Sequence, residues 1–141
     1  MSTNEFSATD DSLRSILTAA RTIAVVGLSP KAERASNEVA SYLISAGYTV
    51  IPVNPAVDEV LGLRCYPDLH AVPGHIDIVD VFRKPEDVAA VADEAIAVGA
   101  GCLWLQLGVI APEAARKAAA AGLQVVMDHC TKREHRRLFG S

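Results

Sequence analysis

Apolar runs and helical stripes alternate along almost the whole of this chain, and that alternation constrains the fold more than any other feature. Residues 22–27, 48–53, 76–82, 102–107 and 123–127 are short, nearly continuous apolar runs. Between them, apolar residues recur at helical spacing. Leu13, Ile16, Leu17 and Ala20 precede the first run, and Val39, Tyr42, Leu43 and Ala46 follow it. Val88, Val91, Ala92, Ala95 and Ile96 follow the third run, and an alanine-rich segment opened by Pro112 and Glu113 precedes the last. Pro85, Glu86 and Asp87 suit the first turn of a helix. Gly47, Gly99 and Gly122 are placed to stop the helices before them.

Continuous apolar runs suit strands covered on both faces, and helices between them make right-handed crossovers between parallel neighbours. The expected fold is therefore α/β, a doubly wound three-layer sandwich around a mostly parallel sheet of five to six strands. The sixth would be an edge strand near 63–66, followed by a short helix near 68–72. Residues 1–11 read as a flexible tail and 12–141 as one domain, with Asp11 or Ser12 capping the first helix. From Asp128 onward the chain reads as a polar, basic tail.

A chain of 141 residues, 50% of them apolar, can build a packed core without staples. No apolar run approaches the roughly 20 residues that span a bilayer. The first residues are polar and acidic, with neither a basic start nor an apolar stretch, so no export signal and a cytoplasmic location are expected. A net charge of -4 argues against duplex nucleic acid, which needs a basic face. Cys65, Cys102 and Cys130 lie far apart and form no zinc or disulfide framework. Asp128, His129, Cys130 and His135 cluster, but their spacing fits no common zinc pattern, and no metal is expected.

In an open α/β sheet, ligands bind beyond the carboxyl ends of the strands. Each run here ends in residues of little use to a core. After the first, Gly27 lets backbone approach a ligand, Ser29 offers a hydroxyl, and Lys31 and Arg34 add positive charge where a helix begins. The second run ends in Asn54, where a binder selecting NAD usually carries an acid for its ribose. Arg83 and Lys84 follow the third run, and Gly108 permits close approach after the fourth. Cys130, with His129, Lys132 and Arg133 beside it, is a candidate reactive thiol.

The segments "VVGLSPKAERASNEVASYL", "GYTVIPVNP", "LGLRCYPDL", "DIVDVFRKPE", "LWLQLGV" and "VVMDHCTKREH", in this order over residues 20–139, resemble the small YccU-like CoA-binding proteins. That family shares a Rossmann-like domain with the N-terminal part of the succinyl-CoA synthetase alpha subunit. The resemblance implies coenzyme A as ligand. Its pyrophosphate would lie over Gly27, Leu28 and Ser29, with Lys31 and Arg34 near the phosphates. Asn54 and Pro55 would border the adenosine. Phe82, Arg83 and Lys84, together with Gln106 and Gly108, would line the rest of the cleft. The synthetase's second domain, which bears its phosphorylated histidine, has no counterpart in these residues, so the ligase reaction is not carried over.

The expected function is a stand-alone, non-catalytic protein that holds or senses CoA or an acyl-CoA, with a homodimer allowed for by its small size. Three rivals stand beside it: an NADP-type oxidoreductase, a carrier acting through a disulfide or acyl group on Cys130, and an interaction module with no ligand.

Overall fold

The computed structural model describes residues 6 and 8–140. Five strands form one wholly parallel sheet: β1 (Thr22–Val26), β2 (Thr49–Val53), β5 (Ile78–Val81), β6 (Cys102–Leu105) and β7 (Gln124–Met127), in the order β2-β1-β5-β6-β7. Alternation along each strand builds two cores. Ala24, Val26, Val79, Val81, Leu103, Leu105 and Met127 meet α3 (Val88–Ala97) and α4 (Pro112–Ala120). Ile23, Val25, Ile78, Trp104 and Val126 meet α1 (Asp10–Ala19), α2 (Ala35–Ser45) and Leu138 of α5 (Thr131–Phe139). Both faces are covered, which is why the strands read as unbroken apolar runs.

Three local expectations are corrected. The helix α1 is capped by Thr9, whose Oγ1 accepts the Ser12 N–H at 3.1 Å, so Asp10 and Asp11 stand in its acidic first turn. Of the remaining expected tail, residues 1–5 and 7 lie outside the described residues. The expected edge strand is instead a small antiparallel hairpin of β3 (Glu59–Val60) and β4 (Leu63–Arg64), and only Tyr66 bridges to Val53 of the main sheet. The expected basic tail contains α5. Polar contacts attach it: Arg137 to Asp10 at 2.7 Å, Lys132 to Glu38 at 2.8 Å, and the Tyr42 hydroxyl to His135 Nδ1 at 2.8 Å. The expected short helix near 68–72 appears as a single 3-10 turn, Leu69–Ala71.

One core position breaks the pattern. Asp80 lies in β5 between Val25 and Trp104 and is fully buried. Burial pushes its carboxyl up to about 8, against the opposing pull of the Thr131 hydroxyl 2.9 Å from Oδ2. The folded protein thus keeps a proton that the unfolded chain releases near pH 4. The stability this contributes is present below that pH and is lost as pH rises toward 8. His135, whose pKa burial lowers, titrates in the opposite sense across part of the same range. Comparing Asp80→Asn with wild type removes that background. The melting temperature of Asp80→Asn should gain on wild type as pH rises from 5 to 8. A difference independent of pH would show that Asp80 does not hold a proton in the core.

Candidate functional site

Strand order reverses between β1 and β5, so their carboxyl ends frame a crevice. Gly27 turns there with φ +86°, and a Cβ on it would run into the Phe82 carbonyl. Its N–H donates to the Val53 carbonyl at 2.8 Å, which binds β1 to β2 at the same point. The loop beyond Gly27 is tied down by its own polar groups. The Ser29 N–H donates to Ser36 Oγ at 3.0 Å, the Lys31 N–H to Ser29 Oγ at 3.1 Å, and Asn37 Nδ2 to the Ser29 carbonyl at 2.9 Å. Arg34 stands at the N-cap of α2 without a side-chain cap bond, so first-turn N–H groups there remain open to an anion.

Three hollows join along this edge. One of about 320 Å³ is lined by Gly27, Ser29, Arg34, Ala35, Ser36 and Phe82. It shares Ala35 and Phe82 with a second, of about 500 Å³, whose walls include Val39, Arg83, Lys84, Gln106, Val109, Cys130 and Arg133. Arg83 also borders a third, of about 380 Å³, beside Pro55 and Val53. A fourth hollow of about 540 Å³ between the first turns of α3 and α4 touches the third through Glu86 and holds none of the expected site residues, with Pro85 on its wall.

The expected site residues divide accordingly. Gly27, Ser29, Arg34, Pro55, Phe82, Arg83, Lys84, Gln106 and Cys130 come together on the joined hollows. The Leu28 side chain is buried in the core, and only its carbonyl faces this edge, accepting Asn54 Nδ2 at 3.0 Å. Asn54 Oδ1 accepts the Ala56 N–H at 2.9 Å, so both ends of that amide hold backbone. Lys31 is exposed and lines none of the three. Gly108 also lies off them, its N–H donating to Asp128 Oδ1 at 2.7 Å.

Sequence reasoning missed several participants. Asp68, Glu86, Asp87 and Glu94 bring carboxylates to the hollow beside Pro55, although no acid directly follows β2. Arg133, expected only as a charged neighbour of Cys130, lines the 500 Å³ hollow itself, from the third residue of α5. Thr131, at the start of α5, is buried, and both its N–H and Oγ1 meet Gln106 Oε1, at 3.0 and 3.1 Å. Its single hydroxyl proton cannot serve Gln106 and Asp80 together. The conflict disappears when Asp80 holds its proton, as its raised pKa favours: the carboxyl would donate to Thr131 Oγ1, leaving the hydroxyl to donate to Gln106. The charged residue inside the run "IVDVF" was the readable signal for this network.

A CoA binding domain model matches residues 21–136. The chain belongs to that family. It is 41% identical to the uncharacterized protein YneT of Bacillus subtilis over 87% of this chain and 91% of that one. A hypothetical protein from Pyrococcus horikoshii has the same fold, with a TM-score of 0.94 and 44% identity over 99% of both chains. An acetyl-coenzyme A synthetase of Candidatus Korarchaeum cryptofilum, solved with phosphate and ADP, shares 27% identity and a TM-score of 0.70 over 83% of this chain and 27% of that one. The CoA-binding family and the Rossmann-like sheet expected from the sequence are therefore shown.

The three thiols differ in access. Cys65 and Cys102 are buried, and burial raises both thiol pKa values, helped at Cys102 by the nearby Asp80. Cys130 is partly exposed on the 500 Å³ hollow. Iodoacetamide should label the native protein once, at Cys130, by intact mass and peptide mapping. Faster labelling of Cys65 or Cys102 would contradict this packing.

Proposed function

We propose that this protein binds coenzyme A along the three joined hollows, as a stand-alone CoA or acyl-CoA holder or sensor without catalysis of its own. The carrying observation is their continuity across the carboxyl ends of β1, β5 and β6, with Arg34, Arg83 and Lys84 spaced along it. In this reading the pyrophosphate lies over Gly27 and Ser29, where the absent Cβ and the open turn of α2 favour an anion. The adenosine takes the hollow beside Pro55, whose carboxylates accept from its amine while Arg83 meets the 3′-phosphate. The pantetheine arm enters the 500 Å³ hollow past Val39, Phe82 and Val109.

Thermal unfolding with CoA, dephospho-CoA, NADP and NAD tests this. CoA at 100 times its Kd should stabilise by about 2.7 kcal/mol, a shift of several degrees. NADP and NAD should give far less. Arg34→Ala should weaken CoA by about tenfold or more, as expected for a lost charge-assisted contact. A shift from NADP alone would place the protein with the oxidoreductases, and indifference to all four would favour an interaction module.

A second reading rests on Cys130 opening into the arm's hollow. The Cys130 thiolate attacks CoA disulfide, forming Cys130–S–S–CoA and releasing CoA thiolate. Wild type incubated with CoA disulfide should gain the mass of one CoA, and Cys130→Ser should gain none. An equal adduct on both would remove this reading.

A further inference from the structure

Gln106 is the one neutral polar side chain on the wall of the 500 Å³ hollow apart from the Cys130 thiol, and it is only 5% exposed. Its amide orientation follows from its partner. The Thr131 backbone N–H can only donate, so the atom 3.0 Å away must be the carbonyl oxygen, Oε1. The Thr131 hydroxyl approaches the same oxygen at 3.1 Å. The side chain thereby caps α5 from the end of β6 and is locked in place. Its NH2 group has no hydrogen-bond partner among the described residues. Nor is that nitrogen sealed away: the buried side-chain atoms without a partner among the described residues are Asp80 Oδ1 and His129 Nε2. The amide donors therefore open on the hollow that the residue lines.

Open to the hollow, this pair of fixed donors can bond to solvent; a ligand arm that displaces the solvent must offer an acceptor or leave both donors unpaired against an otherwise apolar and cationic wall. No carboxylate lines this hollow. Resting on the CoA reading above, we infer that Gln106 is a specificity-determining residue whose NH2 group donates to a carbonyl oxygen on the ligand's arm. Two carbonyl sources share that chemistry: an amide of pantetheine and the thioester of an acyl-CoA. Val39, Phe82 and Val109 cover the methylene and methyl groups on either side. The nucleotide end lies over the other two hollows and does not depend on Gln106.

The test measures the affinities of CoA, acetyl-CoA and adenosine 3′,5′-bisphosphate by calorimetry for wild type and Gln106→Met, which is neutral and of similar length. We expect about tenfold weaker binding of the arm-bearing ligand, as for one lost hydrogen bond to a buried donor, with the bisphosphate within about twofold. Equal losses for CoA and acetyl-CoA assign the donor to a pantetheine amide. A loss for acetyl-CoA alone assigns it to the thioester. Gln106→Glu keeps the acceptor that Thr131 needs and serves where Gln106→Met fails to fold. It should show the same selective loss relative to the bisphosphate. No loss for either arm-bearing ligand, or equal losses for all three ligands, would overturn the inference. Wild type that binds none of them would instead overturn the CoA reading, and this inference with it.

Discussion

The ligand edge of this sheet depends on how closely β1 and β5 end side by side. Gly27 sits where three strands converge. Its N–H bonds to Val53 at the end of β2, and the Phe82 N–H bonds to Val26 at 2.8 Å beside it. The φ of +86° and the missing Cβ are both required, because a side chain would occupy the place of the Phe82 carbonyl. Residues forced into such a backbone region cost about 1–3 kcal/mol before any collision is counted. That is a large share of the roughly 5–15 kcal/mol that holds a domain together. The collision would also push Phe82 and Arg83 outward, and those two residues are the walls that the hollows share, Phe82 between the 320 and 500 Å³ hollows and Arg83 between the 500 and 380 Å³ ones.

The helix α5 completes the far wall of the groove, and its attachment has two layers. The outer layer is the pairs of Arg137 with Asp10 and of the partly covered Lys132 with Glu38, whose carboxylates stand in solvent, so screening leaves these pairs little weight. The inner layer is buried. Trp104, fully buried, donates from Nε1 to the His129 carbonyl at 2.8 Å, and Thr131 bonds inward to Gln106 and Asp80. Breaking a buried bond strands its partner without water, so the inner layer decides where α5 begins. That starting point sets Cys130 and Arg133 on the hollow.

This division explains what could be read in advance. Strands buried on both faces show as apolar runs, and helices lying on them show as stripes, so the main sheet and α1 to α4 were legible from spacing. The helix α5 carries no such stripe, since Leu138 and Phe139 are its only apolar residues and its buried positions are the polar Thr131 and Glu134. The 63–66 segment has strand-like residues, but a strand of two residues in a hairpin leaves no period to detect. At the site, positions next to strand ends were legible because topology brings those ends together. Side-chain direction was not: Leu28 turns into the core while its neighbours Gly27 and Ser29 face the crevice. The carboxylates beside Pro55 were hidden for another reason. They come from the segment before β5, from the turn that opens α3 and from Glu94 within that helix, and a scan of the residues following β2 cannot see them.

Asp80 shows how the core reaches the groove. A carboxyl group buried among Val25, Trp104 and Cys102 is costly chiefly when charged, so stability falls as pH rises through its raised pKa. What it supplies is direction. With its proton in place, Asp80 donates to Thr131, and the Thr131 hydroxyl is left to donate to Gln106. Without that proton, the same hydroxyl turns to the charged Asp80, and Gln106 keeps only the backbone N–H of Thr131. The protonation of Asp80 would therefore decide whether the Thr131 hydroxyl supports Gln106 or turns inward.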